Sequence, residues 1–359
     1  MNSTDSGGVT PAPSSDDLWN TLLGIRTGCY PFMPDILKPV YGYRPTLGAG
    51  ITFDVLFALV MIGHFLMLAL YRKWTSFLFA VGSLTELLGW VGRTWSATCP
   101  YNQNAFLMQI TTLILAPTFY SAALYVLLAI LINSLGRQTS LLSPKLYALI
   151  FCTCDVLSLI IQAIGGGMAA QATNRKGGDT APGTHTMVAG IVFQLFTMTI
   201  FAGLVCDFLR RVFVLQQRQQ QGQSTSTGNI NEEGRERKNG LLLTKRMKLV
   251  LGSMFVAFIM IYVRSIYRTI ELAEGWSGHL ITHEGYFIAL DAALMFVAAA
   301  VWLMMDPAVL LRDGEQQGTT EVKAGESGTG AARDQQQQQD HGEESESSWG
   351  LERKSAEGI

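Results

Sequence analysis

Between residues 47 and 305 the chain alternates long apolar runs with short polar gaps. Seven runs are long enough to cross a bilayer as helices, near 47–71, 76–95, 106–133, 146–168, 186–209, 247–272 and 285–305. The pattern predicts an all-α polytopic membrane protein, a bundle of seven transmembrane helices. The second run, FLFAVGSLTELLGWVGRTW, is the weakest, because Glu86 and Arg93 interrupt it. In the third, Pro117 removes one backbone hydrogen bond and frees a carbonyl, which predicts a kink. In the fourth, QAIGGGMAA at 162–170 carries three glycines that either admit a neighbouring helix closely, act as a hinge or end the span.

The flanks read differently. Residues 1–46 begin rich in Pro, Ser and Gly and become aromatic at CYPFMPDILKPVYGYRP, which predicts an extracellular segment ending as a cap over the helices. Residues 210–246 and 306–359 are polar and Gln-rich, too poor in apolar side chains to fold alone; they are expected to form a cytosolic loop and a disordered cytosolic tail. Domain boundaries therefore fall at 1–46, 47–305 and 306–359. MNSTDSGGVTPAPSSDD has neither a basic start nor an apolar core, so the first span is expected to do its own targeting.

Lysine and arginine set the orientation. Arg72 and Lys73, Arg137 and Lys145, a dense group from Arg210 to Lys248, and Arg312 lie in one set of loops, while the opposite set holds only Arg175 and Lys176. The positive-inside rule then puts the N-terminus outside and the C-terminus in the cytosol, with the plasma membrane the expected location. Composition agrees with a membrane protein: 48% of residues are hydrophobic and 15% charged, against roughly 25% charged in a soluble domain. The net charge of −2 carries little information, and no nucleic-acid partner is expected. Cys29 and Cys99 both fall outside under this topology and are candidates for a disulfide; Asn2 begins an external glycosylation sequon, NST.

Charge inside the spans is the feature that asks for a function. In VRSIYRTIELAEG, Arg264, Arg268 and Glu271 stand at i, i+4 and i+7, on one side of a helix. A charge at the bilayer centre costs roughly 2.5–3.5 kcal/mol even on lenient scales. The two arginines are therefore expected to face Glu86, Asp155 and Asp291 across the bundle interior, with Arg93 sharing a helix face with Glu86, Asp54 as a further acid, and Glu271 and Glu284 at the rim. Such a network either holds helices in register or lines a charged, polar cavity in the outer half of the bundle, able to take a headgroup or pass protons. Gln109, Gln162, Gln194 and Tyr267 also need hydrogen-bond partners within apolar stretches.

No GxxxxGK[ST] is present, so no P-loop nucleotide hydrolysis is expected. No catalytic residue, cofactor or metal is called for. A seven-helix receptor or stress sensor agrees in span count, yet lacks a DRY-like or NPxxY-like sequence. An intramembrane metal-dependent lipid hydrolase would draw on His185, His279, His283 and Glu284, a weak zinc set.

ELLGWVGR (86–93), LAPTFYSAALY (115–125), DVLSLIIQAIGGG (155–167), RSIYRTIELAEGWSG (264–278) and HEGYFIALDAALM (283–295) together resemble, in order and spacing, the fungal lipid-translocating exporters, or RTA-like proteins. The resemblance covers roughly residues 29–307. It implies a seven-span fungal protein linked to stress and to resistance against toxic amphiphiles, with sphingoid long-chain bases the cargo of some members. It also implies that Glu86, Arg93, Asp155, Gln162, Arg264, Tyr267, Arg268, Glu271, Glu284 and Asp291 belong to the family pattern. Trp90 stands where the family usually has Tyr, and Asp306-Pro307 where it has His-Pro, which bears on the substrate rather than the class. The expected partners are membrane lipids, a midplane carboxylate such as Glu86 or Asp155 pairing the amine of a sphingoid base.

Overall fold

The computed structural model of the protein describes residues 21–135, 142–223 and 245–305, apart from positions 22, 34, 36–38, 40, 176 and 277. Asn2, most of the 210–246 loop and the 306–359 tail, with Asp306 and Pro307, lie outside the described residues. Seven long helices carry the fold: α1 Leu47–Tyr71, α2 Trp74–Thr98, α3 Gln103–Leu135, α4 Pro144–Thr173, α5 Ala181–Gln223, α6 Lys245–Ala273 and α7 Glu284–Met304. All seven are long and apolar enough to cross a membrane, and the chain is an integral membrane protein. Several extend past the apolar runs read from the sequence, because the helix continues into polar flanks after the hydrocarbon-matched stretch has ended.

Each helix packs on the next, and α7 packs on both α6 and α1, so the bundle closes into a ring; α3 also reaches α6. On α1, Ile51, Val55, Leu59, Ile62 and Leu66 form an exposed apolar stripe at helical spacing, the face that hydrocarbon covers. α3 is the most buried span and runs unbroken through Pro117.

Glycine sets two close crossings. A Cβ on Gly92 would sit 2.9 Å from the Gln109 backbone nitrogen, so α2 and α3 approach where GWVGR allows it. On α4 and α5, Gly165 faces the Met187 nitrogen and Gly183 faces the Ala169 nitrogen, each with 2.4 Å for a Cβ. The glycine run thus admits a neighbour and does not end the span, since α4 continues to Thr173.

The segment before α1 is tied down at many points. Cys29 and Cys99 are disulfide-bonded across a separation of 70 residues. Asn102 caps α3, its Oδ1 accepting from the Asn104 and Ala105 backbone nitrogens (3.0 and 3.2 Å), while its Nδ2 donates to the Thr27 and Gly28 carbonyls. The Met33 nitrogen donates to the Tyr101 hydroxyl at 2.8 Å, and Arg44 Nε to the Ala97 carbonyl at 2.9 Å.

Candidate functional site

Arg93 of α2 and Arg264 and Arg268 of α6 find acids on α6 and α7. Arg268 donates to both oxygens of Asp291 (2.9 and 3.0 Å) and to Glu271 (2.8 Å), which also accepts from the Tyr267 hydroxyl at 2.9 Å. Arg264 Nε lies 2.7 Å from Asp291 Oδ1. Asp291 can serve both because α7 makes one π-helical turn at Ile288–Ala292, a local bulge of the kind that re-aims a side chain. Arg264 also donates through Nη2 to the Leu113 carbonyl of α3. Leu113 is four residues before Pro117, so this is the carbonyl that the proline leaves without its helical donor.

Toward the N-terminal segment a second pair stacks on the first. Arg93 donates to Glu284 (2.8 Å) and to the Tyr43 hydroxyl (2.9 Å), and Glu284 also accepts from the Thr46 nitrogen at 2.9 Å. The Phe287 ring lies between the two layers, 4.3 Å from the Arg93 guanidinium carbon and 5.0 Å from that of Arg268. Tyr41 closes the group, donating to Gln109 at 2.6 Å beside Ser96. Burial pushes its hydroxyl up to about 12, and Tyr43 is raised for the same reason.

Two of the expected partners are not engaged. Glu86 is fully buried halfway along α2, and neither of its oxygens has a hydrogen-bond partner; the charges that act on it are Arg264, Asp291 and Arg268. Asp155 accepts from Ser121 at 2.9 Å, has the buried Tyr125 hydroxyl beside it, and meets no described arginine. Of the three acids expected opposite Arg264 and Arg268, Asp291 is ion-paired to both, Glu86 lies within reach of their charge without an ion pair, and Asp155 alone meets neither. Arg93 does not pair with Glu86 either, because Glu284 and Tyr43 lie closer to its end of α2. Asp54 is held by the Thr94 hydroxyl at 2.6 Å. Gln162 donates to Ser158 (2.6 Å) and Gln194 (3.2 Å), joining α4 to α5.

The charged residues also do not line the large cavity. The space they border, between Tyr41, Arg93, Gln109, Arg268 and Glu271, is about 20 Å³, room for roughly one water. A cavity of about 740 Å³ lies instead among α3, α4 and α5 beside the N-terminal segment, with mostly apolar walls; of the residues singled out in the sequence, Gln162 and no acid reach it. No residue pattern announced this cavity; the glycines of α4 were the available signal. His279 and His283 stack with ring centroids 4.0 Å apart, and among the described residues no group of three or more His, Cys, Asp or Glu could hold a metal ion.

The model of a family described as "RTA1 like protein" matches residues 79–314, most of the chain and all of α3 to α7. The chain belongs to the RTA1-like family. Within it, the sphingoid long-chain base transporter RSB1 of Saccharomyces cerevisiae is 34% identical over 74% of this chain and 72% of its own length. Protein RTA1 of the same yeast is 25% identical over 75% of this chain and 85% of its own, and Protein RTM1 26% over 62% and 64%. No solved structure matches. The RTA1-like match spans Glu86, Arg93, Asp155, Arg264, Arg268, Glu271, Glu284 and Asp291, and leaves out Asp54 of α1.

Proposed function

We propose that this RTA1-like protein translocates amphipathic lipids, sphingoid long-chain bases foremost, and so protects the cell against toxic amphiphiles. One observation carries the reading: three buried arginines are ion-paired to Asp291, Glu271 and Glu284, which leaves Glu86 and Asp155 as buried acids without an ion pair among the described residues. A buried carboxylate without a cation is costly unless it holds a proton or meets a positive ligand. The amine of a sphingoid base is such a ligand, and its passage from one carboxylate to another lowers the cost of carrying a charged head through hydrocarbon. The RSB1 name supports the same cargo. The arginine layers serve as the rigid frame, and the N-terminus, by the distribution of lysine and arginine, faces outside with 306–359 in the cytosol, in the plasma membrane.

Reconstitution tests this. Purified protein in liposomes should speed the movement of a labelled sphingoid base between leaflets; a leaflet distribution over time equal to that of protein-free liposomes overturns the reading.

A further inference from the structure

Three consecutive glycines in one helix call for three reasons, and packing supplies one. Gly165 touches the α5 backbone, but a Cβ on Gly167 would meet nothing within 4 Å, and one on Gly166 only the Met187 sulfur at 3.8 Å. Each glycine costs a helix interior about 1 kcal/mol relative to alanine. Gly166 and Gly167 return no contact for that cost; what they leave is empty space on the wall of the 740 Å³ cavity.

That cavity has the dimensions and polarity of a lipid-chain site. Its volume lies within the range of about 300–1,000 Å³ of small-molecule sites. From Leu159 to Thr173 along α4 it runs roughly 20 Å at helical rise, so it is elongated along the span. Its walls are mostly apolar, with Leu107, Ile110 and Ile114 on one face of α3 opposite Leu159 of α4; Tyr101, Gln103, Thr173 and Thr180 supply polar groups at the end beside the N-terminal segment, and Thr111 and Gln162 two more along its length. Arg26, the one charged described residue of the lining, donates to the Thr173 carbonyl. A largely apolar slot between membrane-spanning helices, richest in polar groups at one end and without a carboxylate, fits one alkyl chain with a head held by hydroxyl hydrogen bonds.

We propose that this cavity between α3, α4 and α5 binds the single hydrocarbon chain of an amphiphile, its hydroxyl-bearing head at the N-terminal-segment end, and that Gly166 and Gly167 keep the slot open. The occupant's class rests on the lipid-translocating reading; the site itself does not. Trp276 provides the probe, since it lines the cavity at that end, edge-on to Phe106 at 5.5 Å and hydrogen-bonded to Thr184.

The full chain in lipid nanodiscs is titrated with a long-chain amino alcohol brominated either near the head or at the chain end, and tryptophan quenching is read against Trp276→Phe to isolate this one indole. The expected result is saturable Trp276-dependent quenching, stronger for bromine near the head. Gly166→Leu and Gly167→Leu should abolish it, while Gly203→Leu, on an exposed site of α5 with no neighbour within 4 Å, should leave it unchanged. Absence of Trp276-dependent quenching, its persistence in both cavity-filling variants, or stronger quenching from the chain end overturns the proposal. Because binding is read without transport, leaflet movement with no quenching removes this site and spares the proposed function, and quenching with no leaflet movement does the reverse.

Discussion

Arg264 donates to the carbonyl of Leu113, the one carbonyl of α3 that Pro117 deprives of a helical partner. One guanidinium thereby satisfies a backbone group on α3 through Nη2 and pairs with Asp291 on α7 through Nε, a two-nitrogen reach that the single nitrogen of lysine does not reproduce. Arg264→Lys should lower the unfolding free energy by about 1–3 kcal/mol. In a Pro117→Ala background the helix recovers its own donor, so the same lysine substitution should cost about 1 kcal/mol less. A thermal-unfolding double-mutant cycle measures the coupling; strictly additive effects would refute the link.

Asp291 and Glu86 differ in kind although both are buried acids. Asp291→Asn leaves Arg264 and Arg268 short of their shared counter-charge and should cost about 3–5 kcal/mol. Glu86→Gln breaks no hydrogen bond and should change stability by less than about 1 kcal/mol. Melting curves of the two purified variants decide this; equal losses would place Glu86 in the supporting frame.

The three glycines of α4 should separate by position. Gly165→Ala drives a methyl into the α5 backbone and should destabilise by about 1–3 kcal/mol. Gly167→Ala gains helix propensity in open space and should stabilise by about 0.5–1 kcal/mol. Unfolding temperatures of both variants check the signs.

Tyr41 makes docking of the N-terminal segment sensitive to alkali. Its hydroxyl is raised by burial, so its stabilising contribution is complete below the ordinary tyrosine value of 10.0 and is lost as pH rises through about 12. Tyrosinate absorbance should show a late-titrating step that Tyr41→Phe removes; an unchanged titration curve would contradict the buried Tyr41–Gln109 contact.

Much of this was legible in the chain. Seven apolar runs gave the helices, and Arg264, Arg268 and Glu271 at one face gave the side on which α6 meets its partners. The pairing was not legible, because helical periodicity fixes direction around one axis but not depth against another helix. Arg93 and Glu86 share a face, yet the two residues lie two turns apart, and the start of α7 brings Glu284, and the N-terminal segment Tyr43, to Arg93. The partition between paired and unpaired acids depends on the π-helical turn at Ile288–Ala292, which aims Asp291 at both arginines and leaves no mark in hydropathy. The cavity was hidden for a related reason: a void is defined by side chains from three helices, and the glycines on its wall read equally well as packing.

The most direct test of the central claim, that Glu86 and Asp155 are left for a cationic head, is the rate of leaflet exchange of a labelled sphingoid base in liposomes holding wild type, Glu86→Gln or Asp155→Asn at matched protein content. The account predicts that the wild type accelerates exchange and that each variant, folded and inserted, loses it. Exchange at the wild-type rate in both variants would contradict it.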